Sequence, residues 1–191
     1  MKKLLICLLL LSATGAFAQD AVTIKHDFET MVAYTRQKQL GKIVEMTYPQ
    51  LFKIMTKEQM KASADGVLNS MGATMIFEEK PLMLKLSPVK KLANASICLG
   101  RYNQSIIMEF KDASMVNMLT KVKMKDNKIE KLGSNKIRMS GVQYLLAIKD
   151  AYTHNTWKYL RYDDEYAAID AKVLSKEIQT SSAQLKAALN N

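Results

Sequence analysis

The sequence predicts an α+β domain in which helices come first and an antiparallel sheet follows. Apolar residues recur at helical spacing in the first third of the chain, whereas from Ala73 onward they alternate with polar residues. Several short alternating segments then follow one another with short connections, which favours antiparallel pairing. Helices and strands do not alternate one for one, and this order argues against a doubly wound parallel sheet.

The composition is that of a globular chain with its own core. Of the 191 residues, 48% are hydrophobic and 24% are charged, which excludes disorder throughout the chain. Seven Gly and three Pro exclude a collagen-like or low-complexity architecture, and two Cys exclude a disulfide scaffold. The length fits one domain plus a targeting segment.

Residues 1–18 are predicted to be a signal peptide. Two lysines form a positive start, residues 4–11 form an apolar run too short to span a bilayer, and Ala16-Phe17-Ala18 has the pattern that signal peptidase cleaves. Residues 19–191 would then form a single mature domain. Loss of the two lysines would lower the net charge from +10 to +8. No later stretch is apolar enough to cross a membrane, so we expect an exported protein, periplasmic or secreted.

Two helical sections are predicted before the sheet. Thr23 is placed to cap the first, which ends before Tyr48-Pro49 because the residue before a proline is pushed out of the helical region. In the second, residues 56–59 match the capping box, and an apolar stripe continues to Met71. Gly72 follows where a left-handed C-cap belongs.

Alternating apolar residues predict the strands of the sheet. The first strands are expected at residues 73–77, 82–86 and 96–100, followed by a turn at 102–104 and a strand at 106–110. Later strands are expected at residues 136–140, 142–148 and 157–162.

Three further segments complete the predicted elements. Residues 112–132 fit a helix and a strand equally well, and we predict a helix from residue 112 to about residue 123. Residues 150–155 are rich in turn formers and connect the last two strands. Residues 172–189 carry apolar side chains at helical spacing and predict a C-terminal helix.

Three stretches carry a resemblance to a known family: residues 40–49, the capped helix at 56–71, and the late strand pair at 144–150 and 156–160. In order and spacing they resemble the cystatin-like cone of the nuclear transport factor superfamily, in which a strongly bent antiparallel sheet wraps around N-terminal helices. Small exported proteins of Bacteroidetes-type bacteria often look like this. The resemblance implies a fold that hosts isomerases, dehydratases, transport adaptors and binding modules, so it implies no single function.

The histidines and the mature cysteine do not indicate a metal or nucleophile site. Only His26 and His154 are present, and a catalytic zinc ion needs three protein ligands. Cys98 has no histidine near it in sequence, and a free cysteine is commonly a small buried hydrophobic residue. We therefore predict no metal and no cofactor.

The resemblance implies that an enzyme of this fold would carry a carboxylate or a tyrosine inside the cone. Asp150, Tyr144, Tyr159 and Tyr102 are the residues to nominate. An Asp at the start of a hairpin turn and a Tyr on a half-buried strand also have ordinary structural roles. The chain has no nucleophile elbow and no Gly-rich phosphate loop, so no catalytic residue is predicted.

The clearest charged feature is a basic run at residues 121–138, which holds seven cationic residues against two acidic ones. The cations are Lys121, Lys123, Lys125, Lys128, Lys131, Lys136 and Arg138. Such a run is usually a solvated face, and the functional alternative is attraction to an anionic membrane surface, a glycan or an acidic protein. It contains no aromatic residue for base stacking, so nucleic acid is not a predicted partner.

The sequence therefore predicts a non-enzymatic binding module for a small ligand or an extracytoplasmic protein. The hollow face of the sheet is the expected site, with Tyr144, Trp157 and Tyr159 as ligand-binding residues. Strand alternation places Trp157 and Tyr159 on one face. Two alternatives stay open: a cofactor-free isomerase, dehydratase or hydrolase that uses Asp150 with a tyrosine, and an interaction or inhibitor protein that uses the basic surface. Because relatives of the cone often dimerise through the sheet, a homodimer is also compatible.

Overall fold

The structure, a computed structural model, describes residues 2–70, 72–79, 81–122 and 127–191, with side chains from residue 19 onward except at 63–65 and 67–69. It combines helices (45%) with antiparallel strands (31%), which confirms the α+β prediction. The described helices are α1 (Lys2–Arg36), α2 (Leu40–Met46), α3 (Lys57–Ser70), α4 (Ala113–Leu119), α5 (Ala167–Val173) and α6 (Lys176–Asn190). The described strands are β1 (Ala73–Phe77), β2 (Lys85–Leu86), β3 (Lys90–Lys91), β4 (Ala95–Phe110), β5 (Asn127–Lys131), β6 (Lys136–Asp150) and β7 (Lys158–Arg161).

Two long central strands organise the sheet. β4 and β6 pair antiparallel along almost their whole length, from Ala95 opposite Asp150 to Glu109 opposite Lys136. The outer edge of β4 pairs with β1, β2 and β3, and the outer edge of β6 pairs with β5 and β7. Every one of these pairings is antiparallel, as the short connections in the sequence predicted.

The strongly bent sheet of the predicted cone is not confirmed, because the sheet is not strongly curled. The register of β4 and β6 explains the difference. Successive residues of the two strands pair one to one from end to end, so no extra residue is inserted as a bulge. Bulges are the usual device that bends a strand sharply.

Helices pack on both faces of the sheet. On one side, named here the α1 face, Ile24 of α1 packs against Cys98, Ala147, Trp157 and Tyr159. On the other side, named the α6 face, Ile178 of α6 and Val173 of α5 pack against Ile97, Leu99, Tyr144, Leu146, Ile148 and Leu160. A third cluster joins Val116 of α4 to the far half of the sheet, through Ile106, Met108, Phe110 and Ile137.

The helical N-terminal third differs in one respect from its prediction. α1 is continuous through Thr23, whose Oγ1 donates a hydrogen bond to the carbonyl of Gln19 (3.0 Å), so the predicted cap at Thr23 is wrong. The preceding residues are themselves helical and leave no free N–H groups for a cap. None of the described helices is long and apolar enough to cross a membrane.

The second predicted helix is confirmed, with its N-terminal capping box and with the left-handed glycine predicted after it. Gln59 N donates to Thr56 Oγ1 (3.1 Å) and Thr56 N donates to Gln59 Oε1 (2.8 Å), which is the expected capping box. Gly72 follows the helix with φ of 56°, in the left-handed region where a glycine C-cap belongs. Met71, the predicted last residue of the helix, lies outside the described residues.

The predicted turn at residues 102–104 is wrong. Residues 102–104 continue β4, and Asn103 pairs with Val142 of β6. Polar turn formers are tolerated there because Asn103 is exposed to solvent. The predicted strands at 136–140 and 142–148 are likewise one continuous strand, β6.

Residues 112–132, whose pattern fitted a helix and a strand equally well, contain both a helix and a strand. α4 starts after Asp112, whose side chain accepts a hydrogen bond from Ser114 N, but it ends at Leu119, so the predicted helix was too long. β5 then follows at Asn127–Lys131. Residues 123–126, between these two elements, lie outside the described residues. The predicted C-terminal helix is two helices, α5 and α6.

Candidate functional site

The sheet face beneath α1, where a hollow was expected, is nearly full. A cavity of about 100 Å³ remains between α1 and the sheet, lined by apolar side chains such as Phe28, Met31 and Leu145. Tyr102, one of the nominated tyrosines, contacts the ring of Phe28 edge to face, and burial raises its pKa to about 12. Ligand pockets are usually larger, roughly 300–1,000 Å³.

Trp157 and Tyr159 share the α1 face, as strand alternation predicted, and both hold α1 against the sheet. Trp157 Nε1 donates to Asp20 Oδ1 (2.9 Å), and Tyr159 Oη donates to Asp27 Oδ2 (2.6 Å). Lys149 Nζ also bonds Asp20 Oδ1 (2.8 Å). Burial and the bond to Asp27 raise the pKa of Tyr159 far above its usual value, so its hydroxyl keeps its proton.

Tyr144, the third expected ligand-binding residue, lies on the α6 face, so the structure does not bring the three together. Its hydroxyl donates to Asn190 Oδ1 near the end of α6. The ammonium of Lys186 lies 4.7 Å from the centre of its ring. Asn190 and Lys186 both line the C-terminal pocket described below, so Tyr144 stands beside it.

Asp150, the nominated carboxylate, is buried and hydrogen-bonded to a tyrosine that sequence analysis did not nominate. Tyr48 Oη donates to Asp150 Oδ2 (2.7 Å), and Thr153 N donates to Asp150 Oδ1 (3.0 Å). Both residues of the Tyr48–Asp150 pair line a cavity of about 640 Å³ between the hairpin turn and the start of α6. Because Asp150 also caps the short 3-10 helix Ala151–Thr153, both of its oxygens are already used.

A polar depression of about 720 Å³ lies on the half of the α6 face that α6 does not cover. Arg138 forms two hydrogen bonds to Glu78, both of 3.0 Å, and a third to Glu130 (3.1 Å). Ser105 also donates to Glu78. These bonds pair three of the four charged residues that line the depression with one another, and the exposed Lys128 is the fourth. The paired charges are less directed toward a ligand.

The C-terminal pocket has a volume of about 380 Å³ and is formed by the last two helices and the segment before them. Ser175 begins α6 as its N-cap by accepting a hydrogen bond from Ile178 N, and this turns α6 back along α5. The pocket is lined by Tyr162, Asp163, Asp164, Ala167, Asp170, Gln179, Ala183, Lys186, Ala187 and Asn190.

Asp170 of α5 is the unusual group in this pocket. The residue is only 4% exposed, and its Oδ1 is shielded from solvent with no hydrogen-bond partner among the described residues. Burial and the nearby Asp163 raise its pKa to about 6, while Lys186 acts in the opposite direction. A buried carboxyl oxygen normally has a partner, so its absence here requires an explanation.

The other charged groups of the C-terminal pocket are paired with one another. Lys186 Nζ bonds Asp164 Oδ1 (2.5 Å), and Arg161 Nε bonds Asp163 Oδ2. Asp163 Oδ1 also accepts a hydrogen bond from the backbone N of Tyr144 (3.2 Å). Asp170 is therefore the one acid of the three described here that lacks a cation of its own.

The remaining sequence candidates have structural surroundings. Cys98 is 1% exposed, and burial raises its pKa to about 11, which fits the interpretation as a core residue. His154 occupies a left-handed position in the hairpin turn, with φ of 50°. Among the described residues, no group of three or more His, Cys, Asp or Glu side chains is placed to hold a metal ion.

The basic run is partly neutralised where the structure describes it. Lys136 pairs with Glu109 (3.2 Å), Arg138 pairs with Glu78, and Lys131 donates to Asn117 Oδ1 (3.2 Å). Lys121 and Lys128 are exposed, and Lys123 and Lys125 lie outside the described residues.

Comparison with known proteins identifies no relative. No protein-family model, curated protein or solved structure matches the chain. The geometry of the pockets is therefore what distinguishes the candidate functions.

Sequence analysis missed Asp170, although the sequence carries a signal for it. Asp170 lies three residues before Val173 and four before Leu174, both of which are buried. At helical spacing these positions share a face, and an acid on a buried face is rare unless it has a partner or a function. The predicted helix began at residue 172, so the stripe was not extended back to Asp170.

Proposed function

We propose that the chain is an exported, non-enzymatic binding module whose small ligand occupies the C-terminal pocket. The observation that carries this proposal is the position of Asp170, whose side chain lines the cavity while its Oδ1 is buried without a hydrogen-bond partner among the described residues. A ligand that donates a hydrogen bond to the carboxyl group of Asp170 would compensate for this burial. The volume of about 380 Å³ falls in the usual range of small-molecule sites.

The pocket offers more than one kind of contact to such a ligand. Ala167, Ala183 and Ala187 provide small apolar walls. Gln179 Nε2 already donates to the carbonyl of Leu174 (2.8 Å) and Asn190 Oδ1 accepts from Tyr144, so a ligand would use Gln179 Oε1 and Asn190 Nδ2. Small side chains leave the volume open, and a few polar groups that converge on it fix the orientation of a ligand.

Export and superfamily membership belong to the same proposal. The leader pattern of residues 1–18 supports export to the periplasm or beyond. The order of N-terminal helices followed by an antiparallel sheet supports a relationship to the cystatin-like cone. A protein partner on the basic surface has weaker support, because several cations of that surface pair within the chain.

An acid–base enzyme is the second candidate, and one observation favours it. Burial and Asp163 raise the pKa of Asp170 to about 6. A general acid or base works best when its pKa lies near the operating pH, and a value of about 6 is closer to neutral pH than that of an ordinary Asp. Asp150 is less suited to this role because its oxygens already accept bonds from Tyr48 and Thr153. Conversion of a bound compound, followed by mass spectrometry, would distinguish an enzyme from a binding module.

A pocket-filling variant tests the binding proposal. Ala183→Leu keeps a strong helix former at an exposed position of α6 while it places a larger side chain in the cavity. We expect a library of small polar metabolites to contain compounds that shift the backbone amide signals of residues 162–170 and 183–190 in the wild type. The variant should lose these shifts.

Ala188→Leu is the matched control, because Ala188 is exposed on the same helix and is not among the residues that line the pocket. It should respond to the same compounds as the wild type. If no compound shifts the pocket signals of the wild-type protein, or if both variants bind equally well, the pocket is not the functional site.

A further inference from the structure

The charges of the C-terminal pocket do not balance. The pocket contains three acids: Asp163 and Asp164 in the segment before α5, and Asp170 in α5. The cations are Lys186 of α6 and Arg161 of the adjoining strand, which pairs with Asp163. Three carboxylates therefore face two cations. When Asp170 is ionised, one negative charge remains for which the described residues provide no pair.

The same pocket already accommodates an ammonium group. Lys186 Nζ lies 4.7 Å from the ring centre of Tyr144 and 6.0 Å from that of Tyr162, while it bonds Asp164. The face of an aromatic ring attracts cations through its quadrupole. A cation near Asp170 would therefore lie close to aromatic rings that attract positive charge. Lys186 itself would repel such a cation.

We propose that the ligand of the C-terminal pocket is a small organic cation whose ammonium group pairs with the carboxylate of Asp170. This inference rests on the proposed function and deepens it by naming the chemical class of the ligand. A hydrogen bond between two charged groups is stronger than one between neutral groups, so it is the contact that best compensates a buried carboxylate.

The size of the cavity limits the carbon skeleton of this cation. A volume of about 380 Å³ corresponds to roughly a dozen water molecules at about 30 Å³ each. A compound of roughly that many non-hydrogen atoms fits, such as an amine that carries one ring. Protein carboxylates alone do not form a metal site here, since the described residues bring no three suitable ligands together.

Binding should weaken when Asp170 takes up a proton. Burial and Asp163 raise the pKa of this carboxyl to about 6, with Lys186 opposing them, and the other titratable groups that face it are Asp164 and the phenol of Tyr162. At pH 7.5 the carboxyl is mostly ionised and attracts an ammonium group, whereas at pH 5 roughly a tenth of it is ionised. The cation would thus be bound near neutral pH and released in acid.

Three probes with the same ring separate the effect of charge from the effect of shape: benzylamine, benzyl alcohol and benzoate. Each is titrated into the full chain at pH 7.5 and pH 5, and the amide signals of residues 162–170 and 183–190 report binding at the pocket. We expect benzylamine to bind most tightly at pH 7.5 and to lose about tenfold in affinity at pH 5.

Two variants assign this effect to one carboxyl. Asp170→Asn keeps the size of the side chain and removes its charge, so benzylamine should bind about tenfold or more weakly at pH 7.5. Glu29→Gln removes one exposed acid of α1, outside the pocket, and should leave the affinity unchanged. Asp164→Asn frees Lys186 to approach Asp170 and should also weaken benzylamine binding.

The possible failures point to different conclusions. If benzoate or benzyl alcohol binds in the pocket more tightly than benzylamine, or if Asp170→Asn binds benzylamine as well as the wild type, the cation inference is wrong while the binding function stands. If neither these probes nor the metabolite library shifts the pocket signals, both the inference and the proposed function are wrong.

Discussion

Two buried aspartates of this protein stand in contrast. Asp150, at the end of β6, is 7% exposed, and Asp170, in α5, is 4% exposed. Each lines a cavity. Asp150 accepts hydrogen bonds from Tyr48 and from the backbone of Thr153, whereas Oδ1 of Asp170 accepts none from the described residues.

Burial by itself therefore does not indicate a functional carboxyl. A buried acid whose oxygens are all used stabilises the fold, as Asp150 does by capping the turn and binding Tyr48. A buried acid with an unused oxygen destabilises the fold, and such groups cluster at functional sites because binding requires them. The comparison therefore predicts opposite effects on stability when the two acids are replaced.

The largest expected effect is that of Asp150→Ala. It removes the cap of the turn and leaves the hydroxyl of Tyr48 buried without an acceptor, so we expect a loss of about 3–4 kcal/mol in the free energy of unfolding. Urea unfolding measures it. Asp112→Ala is the matched control, because Asp112 caps α4 at an exposed position and should cost only about 1 kcal/mol. Equal losses in the two variants would show that the Tyr48 bond adds nothing.

Tyr48→Phe separates the hydrogen bond from the cap. The ring stays in the core, but Asp150 Oδ2 loses its donor, and we expect a loss of about 2 kcal/mol. Tyr152→Phe provides the comparison, since Tyr152 belongs to the same turn and is 59% exposed. Its unfolding free energy should change by less than about 0.5 kcal/mol. A Tyr48→Phe protein as stable as the wild type would contradict the structural role of this pair.

The smallest expected effect has the opposite sign. Asp170→Asn should stabilise the protein by about 1 kcal/mol at pH 7.5, because it removes a buried charge whose Oδ1 has no hydrogen-bond partner in the described part of the chain. The folded-state pKa of about 6 lies above the usual value, so the wild type binds more protons folded than unfolded between about pH 4 and 6. Its stability therefore falls as the pH rises through this window.

Urea unfolding of the wild type and of Asp170→Asn at several pH values between 4.5 and 7.5 tests whether the substitution raises the free energy of unfolding. The advantage of Asp170→Asn over the wild type should grow as the pH rises to about 6 and then stay constant. Stabilisation of the ligand-free protein combined with weaker benzylamine binding would be the signature of a residue kept for function. A variant that is less stable than the wild type at pH 7.5 would mean that Asp170 has a structural role like that of Asp150.

The local elements of the fold could be predicted where short-range interactions determine them. The capping box at Thr56 and Gln59, the glycine C-cap at Gly72 and the hairpin turn after Asp150 all form within a few residues. The predicted turn at residues 102–104 failed because pairing with β6 overrides the local preference of Asn103 and Gln104. The cap at Thr23 failed because the chain before it is also helical.

The candidate site was predictable only in part. Trp157 and Tyr159 share a face as expected, but that face is filled by α1, which no local pattern reveals. Tyr144 does stand beside the C-terminal pocket, through Lys186 and Asn190, which come more than forty residues later in the chain. The position of Asp170 on a buried stripe could be inferred from the sequence. That no described residue donates a hydrogen bond to its Oδ1 could not.

The α+β class, the antiparallel pairing and the caps of α3 could be predicted from the sequence, because hydrophobic periodicity and turn chemistry act between near neighbours. Tertiary packing decided that the sheet is not strongly curled, that Tyr48 contacts Asp150, and that Asp170 Oδ1 has no hydrogen-bond partner among the described residues. These outcomes depend on contacts between distant segments, and one aspartate is chemically the same as another until its surroundings determine whether its oxygens are used.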